Sequence, residues 1–191
     1  DYAEGLIALS GGWSGIIGKA ILADEIQMAY QLARDWMQIF PDRFYLEIQR
    51  TGRAHETHYN EQMIEMAQTL QLPLVATNDV KFLNKDDFEA HEARVCIHQG
   101  YTLSDPRHQS PYSQQQYLRS ADEMLALFHD LPEATQNTVE ICKRCSVELN
   151  LGKNYLPNFP TPDGKSVEAY LSRLSHEGLE KRLSDMARLQ L

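Results

Sequence analysis

The chain has 191 residues, a mass of 21.9 kDa and a formal net charge of −9 at pH 7. That length suits one domain, or one domain and part of a second, and 42% hydrophobic residues is enough for a core. The 18 Lys and Arg are scattered among 27 Asp and Glu, so the basic stripe that a nucleic-acid clamp needs is absent.

The three cysteines, Cys96, Cys142 and Cys145, do not make a disulfide framework and point to a reducing compartment. No apolar run approaches the roughly 20 residues that span a bilayer. The opening "DYAEGLIALSGG" has no basic stretch ahead of an apolar one, so it does not read as a signal peptide. It also lacks an initiator Met and begins almost inside a strand, as a piece of a larger protein would.

In chain order, "GLIALSGG" (5–12) reads as a buried strand closed by a tight Gly loop. Residues 23–40 place Ile26, Ala29, Tyr30, Ala33, Trp36, Met37 and Phe40 on one helical face, and Pro41-Asp42 ends the helix. "RFYLEIQR" (43–50) is a strand rich in aromatic and branched side chains. A helix over 57–71 follows, then a third strand over 72–79. Residues 86–100 form a helix opened by acids and stopped by Gly100.

Strands alternating with helices imply parallel βαβ units. The working face of such a fold lies at the C-terminal strand ends. Here those ends are Gly11-Gly12, Gln49-Arg50 and Asn78-Asp79.

The second half is less regular. Residues 101–120 are polar and turn-rich. Its "YSQQQYLRS" stretch suits a loop docked on the domain or a stacking surface for nucleic acid. Ser120 and Glu123 have capping-box spacing. Asp130-Leu131-Pro132 divides two short helices, and Ser166 caps a last helix through Val167, Tyr170, Leu171, Leu174 and Leu183. Residues 151–165 are the linker, between 1–150 and 166–191.

Asp79 is the strongest candidate site residue, with a turn-capping Asp as its plain alternative. Cys142-x-x-Cys145 has metal or redox spacing, yet lacks the further ligands of a zinc site and reads as structural. His55 with His58, and His91 with His98, read as packing or surface residues rather than ligands.

Several stretches together carry a resemblance: "EGLIALSGG", "FPDRFYLEIQRTGR", "LPLVATNDVKFL", "DFEAHEARVCIHQG", "YLRSADEMLALFHDLPEATQNTVEICKRC" and "YLPNFPTPDGKSVEAYLSRLSHEGLEKRL". In order and spacing they resemble the alpha subunits of bacterial replicative DNA polymerase III, the C family. Residues 1 to about 150 resemble the second half of the PHP (polymerase and histidinol phosphatase) domain, and those from about 156 the start of the polymerase module. The resemblance implies an α/β fold: a partial, TIM-like βα barrel followed by a helical segment.

It also implies metal ligands at the strand ends, a Cys after "LSG" and a His in Asn-Asp-x-His. Gly12 and Lys81 stand at those positions, and only Asp79 matches a ligand. An ammonium about 4 Å from a divalent ion costs several kcal/mol at an effective dielectric near 20, roughly a thousandfold or more in affinity. The expectation is therefore a vestigial metal site, with Lys81 paired to Asp79 instead.

No cofactor is expected in this segment. Mg²⁺ belongs to the polymerase reaction of the parent protein, whose catalytic aspartates the resemblance places beyond residue 191. Zn²⁺ or Mn²⁺ would belong only to the alternative, an active metal-dependent phosphoesterase or exonuclease domain. Implied partners are the proofreading exonuclease, other replicase subunits and, mainly through other regions, primer-template DNA. The implied location is the cytoplasm, with no membrane.

Overall fold

The computed structural model describes residues 3–105, 107, 110–149, 151–154, 156–162 and 164–189. Its contacts divide the chain into two compact units, Asp1–Ser146 and Val147–Leu191. The first holds β1 (Ala8–Leu9), α1 (Ile16–Leu22), α2 (Ile26–Ile39), β2 (Phe44–Gln49), α3 (Glu56–Leu70) and β3 (Leu74–Thr77), then α4 (Phe88–Gln99), α5 (Ala121–Leu127) and α6 (Pro132–Arg144).

Among the described residues the sheet has the order β1-β2-β3, all parallel and open rather than closed. Ala8 pairs with Phe44, Leu46 with Leu74 and Gln49 with Thr77. This is the parallel α/β architecture that the strand and helix alternation implies, and it is consistent with the partial barrel that the resemblance implies.

β2 is the central strand, and all six of its residues are buried. Successive side chains alternate between faces. Phe44, Leu46 and Ile48 join a core with Ile17, Ile21, Ala29, Ala33, Tyr59, Met63, Met66 and Phe128. Tyr45, Glu47 and Gln49 occupy the other face and are buried too. In α2, Ala29 and Ala33 have no exposure, with Tyr30, Trp36, Met37 and Phe40 packed beside them. Trp36 stacks on both Phe40 and Phe44, at 5.6 and 5.9 Å.

Two readings of the N-terminal region need correction. The expected strand over 5–12 is only two residues long. The expected helix over 23–40 begins at Ile26, and a separate helix, α1, precedes it. Close packing of backbone on backbone explains α1. A Cβ on Gly18 would lie 2.5 Å from the carbonyl oxygens of Gly12 and Trp13. Only glycine lets this helix press against the loop after β1.

The polar loop docks on the unit. Asn78 Nδ2 donates to Gln115 O at 2.9 Å and to Tyr117 O at 2.7 Å. Phe82 and Tyr117 form a parallel bridge, and Gln116 is fully buried. The α5–α6 hairpin is fixed to the end of β2 by Arg50. Its guanidinium forks onto Asp130 at 2.5 and 2.7 Å, donates to Leu127 O at 2.8 Å and lies 4.9 Å from the Phe128 ring centre. The Ser120–Glu123 capping box is formed.

In the second unit α7 (Val167–Leu189) begins after Ser166, whose Oγ accepts from Ala169 N at 3.2 Å. Phe159 and Tyr170 rings lie 5.8 Å apart. Val167, Leu171, Leu174 and Leu183 of its expected apolar face are exposed.

Candidate functional site at the strand ends

The ends of β2 and β3 share one hydrogen-bonded network, and the loop after β1 packs against it. Gly12, at φ 60°, faces the Gln49 side chain; a Cβ there would come within 3.0–3.1 Å of that amide. Gln49 Nε2 donates to Glu47 Oε1 at 3.0 Å and to Thr77 Oγ1 at 3.1 Å. Thr77 Oγ1 also donates to Glu47 Oε1. Gln49 Oε1 accepts from Arg53 Nη2 at 2.8 Å.

Arg53 is the hub. Its Nη1 contacts Asp79 Oδ2 at 2.9 Å and its Nε contacts Glu56 Oε1 at 3.0 Å, while its guanidinium carbon lies 5.3 Å from the Trp13 ring centre. Lys81 Nζ takes the other oxygen, Asp79 Oδ1, at 2.8 Å. Gln116 Nε2 adds a third donor to Asp79, reaching Oδ2 at 2.9 Å. Glu56 is 4% exposed and accepts the Thr51 and Gly52 N–H groups at 2.6 and 2.8 Å, so it is a loop anchor as well as an ion-pair partner.

This arrangement does not fit a divalent metal. Both oxygens of Asp79 accept from cations. Gly12 supplies no side-chain ligand, and the Gln49 amide fills the space where a side chain would stand. A metal would have to displace an ammonium and a guanidinium, each carrying a positive charge of its own.

Next to the network lies an open cavity of about 560 Å³, lined by Trp13, Arg53, His55, Glu56, Tyr112 and Ser113 among others. Tyr59 OH donates to Glu47 O at 2.6 Å. Burial raises the Tyr59 pKa; a bond with Ser10 lowers it and the Glu47 charge raises it further. Tyr59 is therefore a neutral structural donor.

Of the residues singled out on sequence, Asp79 and Lys81 lie within this network and Gly12 lies against it. His55 and His58 are exposed, and so is His98. His91 is buried against Phe82 and Tyr112, with ring centres 5.5 and 4.7 Å away. The cysteine reading needs revision: Cys142 and Cys145 are exposed rather than packed. Gln49 lies at the strand end the sequence placed on this face, whereas Arg53, Glu47 and Gln116 were not anticipated. A signal for Glu47 was available, since Glu47 and Gln49 are polar at alternate positions of a strand otherwise suited to burial.

A PHP domain family model matches residues 1–51. Over 183 residues the chain is 55% identical to the DNA polymerase III subunit alpha of Pseudomonas aeruginosa. The chain is homologous to one segment of DNA polymerase III subunit alpha. The corresponding protein of Vibrio cholerae is 51% identical over 183 residues and that of Escherichia coli 50% over 184. Each match covers 96% of this chain, which spans only 16% of the length of those relatives. Among the described residues no helix is long and apolar enough to cross a membrane.

Proposed function

We propose that this chain is the PHP-region segment of the catalytic alpha subunit of a bacterial replicative DNA polymerase, acting in the cytoplasm in template-directed DNA synthesis. The identity of 55% over 96% of the chain carries that reading. Polymerisation requires carboxylates that hold two Mg²⁺ ions for in-line displacement; these belong to other parts of the parent, and no catalytic residue is assigned here.

Within that parent the segment serves as a scaffold with a vestigial metal site. The observation that supports this role is the saturation of Asp79 by Arg53, Lys81 and Gln116. Ion pairs take over the structural work of a metal in joining β3 to the loop after β2. The face so preserved docks the proofreading exonuclease, alongside other replicase subunits, while primer-template DNA is held mainly elsewhere.

Two assays on the full-length protein test this. Primer extension should be present, and the purified exonuclease should bind with a single stoichiometry by calorimetry. A metal-dependent phosphoesterase or exonuclease activity intrinsic to the full-length protein, abolished by Asp79→Ala, would overturn the scaffold role in favour of an active PHP domain.

A further inference from the structure

Cys142 and Cys145 play no part in the strand-end network. Both are exposed and free, whereas Cys96 is 2% exposed. Cys142 lies in the last turn of α6 and Cys145 is the residue that caps it. Cys145 N–H reaches back to Ile141 O at 3.0 Å and Cys142 O at 3.3 Å, so one closed helical turn separates the thiols.

Residues three apart in such a turn share a face. Helix geometry puts their Cα atoms about 5 Å apart, inside the ~4.4–6.8 Å that disulfides accept. Their Cβ atoms stand about 5–6 Å apart, against the ~3.5–4.5 Å of a bridge. Closure therefore draws the two residues together, and the terminal turn can yield. Cys145 has already left helical geometry, at φ −91° and ψ 110°.

We propose that Cys142 and Cys145 form a reversible intrachain disulfide, a redox modification site at the end of α6. The oxidant is a low-molecular-weight disulfide such as oxidised glutathione. One thiolate attacks a sulfur of the oxidant and releases one reduced thiol. The second thiolate then displaces the other, closing the Sγ–Sγ bond. Two protons and two electrons leave the pair, and the oxidant is reduced to two thiols.

A bridge that is exposed and under strain is readily reduced again, which is the character of a regulatory rather than a structural disulfide. Its closure bears on a specific contact. Arg144 lies between the two cysteines and donates to Tyr45 OH at 2.7 Å and Asp42 O at 3.2 Å. Drawing in the turn moves the residue that ties α6 to the entrance of β2.

The test uses the full-length protein equilibrated across reduced-to-oxidised glutathione ratios, alkylated, and digested with trypsin without reduction. Trypsin cuts after Lys143 and Arg144, so the bridge would join peptide 120–143 to peptide 145–153. The expected result is that linked pair within a single copy of the protein, lost in Cys142→Ser and in Cys145→Ser and reversed by reductant. Thiols that stay free, that each carry glutathione, or that link only between two copies across the whole range would overturn the proposal.

Discussion

Arg50 and Arg53 lie three residues apart on the connection between β2 and α3, yet they do different work. Arg50 reaches outward, to an Asp130 side chain that is 48% exposed, and pins the α5–α6 hairpin over Phe128. Arg53 turns inward; its side chain is 11% exposed and joins Gln49, Glu56 and Asp79. One guanidinium clamps two pieces of the fold from the solvent side. The other shares with Lys81 the positive charge on the strand-end face. Position on a loop does not decide an arginine's role; the partners that the fold brings to it do.

The hairpin side should break hardest at its apolar footing. Phe128 has no exposure, so Phe128→Ala removes a full ring and leaves a cavity worth about 3–5 kcal/mol. Chemical denaturation should show that loss with little change at the strand ends. Arg53→Ala comes next, at about 2–3 kcal/mol, because it strips a buried partner from Glu56 and a part-buried one from Asp79. The backbone N–H groups on Glu56 keep the figure below that of a fully orphaned charge.

Arg50→Ala should cost only about 1 kcal/mol, since solvent screens the pair. That pair carries a pH signature. The side-chain bond from Arg50 lowers the Asp130 pKa to about 2, and the same bond raises that of Arg50. A carboxylate depressed on folding stabilises above its unfolded pKa, near 4. The stability difference between wild type and Arg50→Ala should hold above about pH 4 and vanish as pH falls towards about 2. A difference constant through that window would show that Asp130 is not linked to Arg50. Lys81→Met should have the smallest effect on stability, under about 1 kcal/mol, because Asp79 keeps Arg53 and Gln116 as partners.

Much of the fold was legible. The apolar spacing of α2 and the capping residues Ser120 and Ser166 mark structure through local chemistry, and the structure keeps them. The strand ends converge as parallel βαβ logic requires, and Lys81 pairs with Asp79. What the sequence hid is non-local. α1 has a Gly at its centre that reads as a poor helix former, and its use appears only against the Gly12 and Trp13 carbonyls. Arg53 and Gln116 look like ordinary loop residues until a fold joins them to an aspartate 26 and 37 residues away. The thiols of Cys142 and Cys145 could not be placed as exposed, because the apolar face of α6 ends within one turn of them.

On the proposed scaffold role, the ion pairs of Asp79 stand where a metal would otherwise be held. Metal analysis of the full-length protein, purified without chelator and then dialysed against zinc and manganese, tests it most directly. The wild type should hold no stoichiometric metal. Stoichiometric zinc or manganese that is lost in Asp79→Ala would contradict it and make the strand ends a working metal centre.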